Sequence, residues 1–308
     1  MSIESKALVI PPRLKSGDTL GIVAPAGPFD DEKFSRGTQA LKDMGFNVFI
    51  PEDLFEVNGY LAGTDRHRAK LVNQLFADRA IDAIICARGG YGSIRILPLL
   101  DYETIMSNPK IFIGFSDISA LLAVLSARCG LVTFHGPVVT TLADATEETR
   151  HSLFNAIACN GRPEIKLAAG ITIYPGSVSG AVCGGNLTTL CHLVGTPFAP
   201  SFKNHILFLE DLGEAPYRID RMLVQMKLAG CFEGLVGLIL GTFEECGSID
   251  EICNIVADVF DDFNVPVLAG LDAGHCKRNV TIPFGIEATL DADRHLLSYH
   301  RAATTDRI

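Results

Sequence analysis

The 308-residue chain reads as an α/β protein in two parts, a mostly parallel sheet covered by helices followed by a smaller mixed α/β domain. Three observations predict this: short β-branched runs alternating with helical stretches from about residue 18 to 160, a turn-rich break over residues 161–178, and a second series of apolar runs beyond it. The first run, TLGIVAPAG, precedes the amphipathic FDDEKFSRGTQALKDMG; NVFIPED, the helical DRHRAKLVNQLFADR and the strand IDAIICARGG follow. After a short helix come KIFIGFS, a helix from Ile118 to Cys129, LVTFHGPVV and a last helix near EETRHSLFNAIAC. Such alternation marks right-handed βαβ units of the Rossmann/flavodoxin-like kind, in which ligands bind beyond the carboxyl ends of the strands. The Gly- and Pro-rich NGRPEIKLAAGITIYPGSVSG is expected to link residues 1–160 to a second domain over 179–308. There HILFLEDLG, LVGLILGTF, VPVLAG and TIPFGIEATLDADRHLLSYH read as strands, and YRIDRMLVQMKLA and SIDEICNIVADVF as helices.

Composition narrows the function classes. Hydrophobic residues make up 48% and charged ones 20%, which is the profile of a globular chain with a large core. The net charge is −10 and no block of Lys or Arg interrupts the mixture, so neither nucleic acid nor an anionic membrane is an expected partner. The opening MSIESKALVIPPRLKSG has no long apolar segment of the kind a secretory signal carries, and a cytoplasmic location is expected. Nine cysteines occur without a C-x-x-C spacing, which argues against a disulfide framework and a Cys-rich zinc site. No metal or other cofactor is expected.

Several positions could carry chemistry, and each also has an ordinary structural reading. Ser116 stands where the run IFIGF gives way to a helix. It could cap that helix, or it could be a nucleophile held at the carboxyl end of a sheet. The pattern from Gly114 to Ile118 half matches the hydrolase elbow G-x-S-x-G, with Ile118 in place of the second glycine. ARGGYGS, residues 87–93, follows a strand but has Arg95 where a dinucleotide fingerprint needs its third glycine. It remains a tight turn or a cradle of bare backbone N–H groups. Glu210 and Asp211 end the strand HILFL, either as its first solvated residues or as an acid able to orient a histidine. Glu214 and Arg218 are spaced as an ordinary helical ion pair. His275, in a loop between two strands, and His135, at a strand end, are the rival histidines. Cys183, before Gly184 and Gly185, is either a thiol nucleophile or a small buried hydrophobe.

Taken together, ARGGYGSIRILPLLDY, IGFSD, FHGP, GGNLTTLCHLVGTP, FLEDLGEAPYRIDRML and LDAGHCKRNVTIPFG resemble the LD-carboxypeptidase family, in order and over nearly the whole chain. The resemblance implies a metal-independent serine peptidase with Ser116 as nucleophile, His275 as base and Glu210 as the acid that orients it. It implies an oxyanion hole from the backbone N–H of Asp117 and one in the Gly89–Gly90 turn, and it gives Cys183 no catalytic part. Arg88 and Tyr91, beside that turn, are expected to contact substrate, with Arg88 reading a terminal carboxylate. The expected substrate is a murein tetrapeptide that loses its terminal D-Ala in cell-wall recycling, and a homodimer is expected from the family. The same family includes immunity peptidases that cleave microcin-type aminoacyl-nucleotides, whose base is expected to stack on an aromatic residue, notably tryptophan; this chain has no Trp. A non-catalytic small-molecule binding protein is the third reading, since two α/β domains around a cleft also describe proteins that close on a ligand.

Overall fold

Two sheets organise the computed structural model, which describes residues 7–307. The first half runs β1 (Thr19–Val23), α1 (Asp31–Asp43), β2 (Asn47–Phe49), α2 (Asp65–Ala77), β3 (Ala83–Cys86), α3 (Ser93–Ile96), α4 (Tyr102–Ser107), β4 (Ile111–Gly114), α5 (Ser119–Cys129), β5 (Thr133–His135), α6 (Val139–Leu142) and α7 (Glu147–Ala158). Every residue of β3 and β4 is buried, which explains why these strands are apolar throughout instead of alternating: a parallel sheet has both faces covered. The helices start where short polar side chains can accept from the first free N–H groups: Asp30 caps α1, Thr64 caps α2 and Thr146 caps α7. The strands lie in the order β2-β1-β3-β4-β5, all parallel, as the βαβ rhythm predicts, and the order itself is the doubly wound flavodoxin-like one.

The second half runs β6 (Glu164–Lys166), β7 (Ile171–Tyr174), β8 (Ser177–Asn186), α8 (Leu187–Leu193), β9 (His205–Leu212), α9 (Pro216–Leu228), β10 (Gly237–Glu244), α10 (Ile249–Phe260), β11 (Val267–Ala269), β12 (Ile282–Phe284), β13 (Glu287–Asp291) and β14 (Leu296–Tyr299). Its sheet has eight strands in the order β6-β14-β13-β8-β9-β10-β11-β7. The central strands β8 to β11 are parallel, with antiparallel strands on both sides.

Two features differ from the sequence reading. Residues 161–178, expected as a linker, hold β6, β7 and the start of β8: Ile165 of β6 pairs with Leu297 of β14 at one edge of the second sheet, and Ile171, Thr172 and Tyr174 of β7 pair with β11 at the other. Edge strands tolerate the neighbouring Gly and Pro that made this stretch look unstructured. The chain also does not stay in the second sheet. β12 crosses back and pairs antiparallel with β5, Ile282 opposite His135 and Phe284 opposite Thr133, so the first sheet gains a sixth strand from late in the sequence. Ile282 and Phe284 are fully buried there.

Arg68 on α2 organises the turns that leave β1 and β3. Its guanidinium, wholly buried, donates to the carbonyls of Pro25 and Gly92 and pairs with Asp65, which Arg95 also holds. Replacing Arg68 by Met leaves the carbonyl of Pro25 without its donor and that of Gly92 with the backbone N–H of Arg95 alone, and a buried acceptor left without a donor costs on the order of 1–3 kcal/mol. We expect Arg68→Met to lower the unfolding free energy by about 1–3 kcal/mol in urea titrations.

Candidate active site

β4 ends at Gly114, and the chain turns sharply into the first turn of helix. Ser116 takes φ 64, a left-handed conformation that a serine seldom adopts and that the surrounding packing must impose. Its side chain caps nothing; the helical cap position falls on Phe115, without a side-chain bond. The capping explanation of Ser116 is therefore not the one the geometry follows. Asp117 is nearly buried and accepts from Ser93 N at 2.8 Å, which ties the corner to the end of the glycine turn. Burial raises the Asp117 carboxyl pKa, against the lowering effect of the Ser93 hydrogen bond.

The glycine turn packs directly on the corner. A Cβ placed on Gly89 would lie 2.8 Å from Ser116 Cβ and 3.0 Å from its Oγ, so only glycine lets this backbone approach the hydroxyl so closely. Gly90, Tyr91, Ser116, Asp117 and His275 line one cleft of about 460 Å³, together with residues of β8, α8 and the end of β9. N–H groups in the first turn of a helix have no intrahelical partner. Asp117 stands at such a position, beside the glycine turn.

Across the cleft, Glu210 is fully buried in β9, two residues before the exposed strand end at Leu212, so it is not the strand's first solvated residue. Its Oε2 accepts from His275 Nδ1 at 2.7 Å and from His275 N at 3.2 Å. Gly274 makes this possible: its φ is +111, and a Cβ there would lie 2.4 Å from Glu210 Oε2. Burial alone pushes the His275 imidazole down, but the hydrogen bond and charge of Glu210, helped by Asp211, outweigh it and leave the pKa raised. With Nδ1 donating to the carboxylate, the neutral ring keeps its lone pair on Nε2, the tautomer a general base requires.

The rival groups lie elsewhere. His135 is buried among Phe115, Phe208 and Phe284; neither ring nitrogen has a hydrogen-bond partner, and burial first, then His275, pushes its pKa down to about 3. It is a neutral core ring. Cys183 lines a separate apolar cavity with Leu122, Phe202 and Phe284, and burial pushes its thiol up, away from the thiolate a nucleophile needs. Arg88 does not reach the cleft: it is not among the lining residues, and its guanidinium donates to the carbonyl of Pro28 at 2.7 Å. Among the described residues no group of three or more His, Cys, Asp or Glu is placed to hold a metal ion, and no helix is long and apolar enough to cross a membrane.

Of the other residues at the cleft, Asp211 and Glu214 stood out in the sequence only with ordinary readings, and His192 and Ser119 carried no signal. Asp211 accepts from Asn186 Nδ2, Leu212 N, Thr188 N and Thr188 Oγ1, all at 2.8–2.9 Å, and so fixes the start of α8. His192 on α8 faces the same cleft, as does Glu214, whose contact with Arg218 at 3.4 Å is loose. Ser119, wholly buried on α5, accepts from Asn186 N at 2.9 Å and joins the two halves beneath the cleft.

A corner serine, a buried carboxylate–imidazole pair and a shared cleft at strand ends define a two-sheet α/β protein with the parts of a hydrolase site. Residues 20–136 match the LD-carboxypeptidase N-terminal domain and residues 179–290 match the LD-carboxypeptidase C-terminal domain; the chain belongs to the LD-carboxypeptidase family, and its family-level role is that of a carboxypeptidase. It is 35% identical to a probable murein peptide carboxypeptidase of Bacillus subtilis, over 91% of each chain. It is 32% identical to the microcin C7 self-immunity protein MccF of Escherichia coli, over 97% of each. The structure of MccF in complex with glutamyl sulfamoyl guanosine superposes with TM-score 0.89 at 28% identity, covering 96% of this chain and 99% of that one.

The coupling of His275 to Glu210 has a direct readout. In NMR titrations His275 should titrate above the ordinary histidine value of about 6.5. In Glu210→Gln it should titrate below that value, because burial then acts alone.

Proposed function

We propose that this chain is a serine-type LD-carboxypeptidase that releases the terminal D-Ala from murein tetrapeptides in cytoplasmic cell-wall recycling, with Ser116, His275 and Glu210 as its triad. The observation that carries the reading is the 2.7 Å bond from His275 Nδ1 to buried Glu210, in a cleft shared with a serine in left-handed backbone. His275 Nε2 takes the proton of Ser116 Oγ, which attacks the carbonyl carbon of the penultimate residue. The backbone N–H of Asp117 and one in the Gly89–Gly90 turn hold the oxyanion. The C–N bond breaks, His275 returns its proton to the departing amine, and water frees the acyl group by the same steps reversed in role. Tyr91, exposed on the rim beside Tyr60, is the substrate contact retained from the sequence. A homodimer is the expected assembly by family resemblance.

The chain offers no tryptophan for a base to stack on, which favours a peptide over an aminoacyl-nucleotide.

Ser116→Ala should lower kcat by about 10³-fold or more with KM little changed, measured as D-Ala release from the tetrapeptide. Retained activity would remove Ser116 from the mechanism. Offered the tetrapeptide, its all-L counterpart and an aminoacyl sulfamoyl adenylate in parallel, the enzyme should release D-Ala from the first and leave the other two nearly intact by mass spectrometry. Preferential cleavage of the adenylate would overturn the substrate assignment.

A further inference from the structure

His275 sits on a strap that leaves the second sheet at Ala269 and enters the first at Ile282. Such a loop would be free to carry the imidazole away from Glu210 unless something held its middle. The structure shows what holds it. Thr149, 1% exposed on α7, accepts from Asn279 N at 3.0 Å through its hydroxyl, which donates in turn to Lys277 O at 3.4 Å. One turn further along α7, Ser152 Oγ accepts from Thr281 N at 2.9 Å. Within the strap, Asn279 Oδ1 accepts from Gly274 N at 3.0 Å, and Val280 N donates to Asp272 O at 2.8 Å. Gly274 immediately precedes His275 and packs against Glu210.

An unbroken series of contacts therefore runs from α7, in the half of the molecule that carries Ser116, through Thr149, Asn279 and Gly274 to the histidine backbone. Asn279 is 4% exposed and its Nδ2 has no hydrogen-bond partner. Burying an unmatched donor is unfavourable, so the side chain is held there for its acceptor.

We propose that Asn279, fixed by Thr149, is a positioning residue that sets His275 against Glu210 and Ser116, so that the base is registered to the helix scaffold of the nucleophile's half instead of to its own sheet alone. The proposal rests on the triad reading for its effect on rate, but not for its effect on the imidazole. Removing the Asn279 acceptor frees Gly274 N–H and lets the His275 backbone drift from Glu210. Without that contact the imidazole feels mainly burial and its pKa falls. The other charged or titratable groups around it include Asp211 from β9, His135 from β5, Asp272, Cys276, Lys277 and Arg278 on the strap, and Asp117, His192 and Glu214 around the cleft, and none of them is replaced by the substitution.

The test compares the wild type with Asn279→Ala, Thr149→Val and Thr149→Ser in the full-length protein. One measurement is the His275 titration by NMR; the other is the rate at which a fluorophosphonate probe labels Ser116, as a function of pH. Thr149→Val removes the hydroxyl at nearly constant volume, so it decides the matter if Asn279→Ala does not fold. We expect Asn279→Ala and Thr149→Val to label about ten-fold or more slowly at neutral pH, and the His275 titration and the acid limb of the labelling profile to move to lower pH. Thr149→Ser, which keeps the hydroxyl, should restore both. Labelling within two-fold of wild type and an unmoved His275 titration in the folded variants would overturn the proposal. A wild type that is not labelled at Ser116, with the His275 titration still displaced in the variants, would overturn the triad reading and leave the positioning role supported.

Discussion

The bond between His275 Nδ1 and Glu210 Oε2 is the constraint around which the rest of the molecule is arranged. A carboxylate with no exposed surface is costly to bury, and Glu210 Oε1 has no hydrogen-bond partner to offset the loss of water. The compensation comes from the imidazole and from the backbone N–H of the same histidine, both donating to one oxygen. This fixes a donor on Nδ1 and a lone pair on Nε2 without any further group. It also sets conditions on the chain: β9 must be buried as far as Glu210, and Gly274 must lack a side chain.

Such a pair is useful only if a reacting group is brought to it, and the fold does this by dividing the site between two sheets. The first sheet offers the serine corner and the glycine turn beyond its parallel strands, and the second offers the carboxylate. The two halves do not merely abut. β12 belongs to the first sheet although it follows the histidine strap, and Ser119 of α5 accepts from Asn186 at the start of α8. A Cβ on Gly185 would lie 2.4 Å from Ser119 Oγ, so the backbones there are in close contact. The cleft is a seam closed on either side by shared structure, which limits how far the serine and histidine can separate.

The alternation of apolar runs and amphipathic stretches made the strands and helices of the first sheet legible, because burial on both faces leaves so clear a mark on composition. Ser116, Glu210 and His275 stood out in the sequence only as members of jointly specific motifs; singly, each had a bland explanation. What stayed hidden depends on pairing between distant segments. Nothing local distinguishes Ile282 and Phe284 from the strand that follows them, so the return of β12 to the first sheet could not be seen. β6 and β7 escaped because edge strands need little hydrophobicity. Thr149, Ser119 and Asn279 are ordinary polar residues until the fold sets them against backbone groups in the other half. Adjacency to the glycine turn does not fix the direction of a long side chain, and that of Arg88 donates to the carbonyl of Pro28.

The central claim is that Ser116 forms a covalent bond to the acyl part of a peptide. Rapid acid quenching during tetrapeptide turnover, followed by proteolysis and mass spectrometry, tests it most directly. The account predicts a transient adduct with the mass of the tripeptide acyl group on the fragment containing Ser116. Turnover without that adduct, combined with incorporation of solvent oxygen into the product by an enzyme in which Ser116 has been replaced, would contradict it.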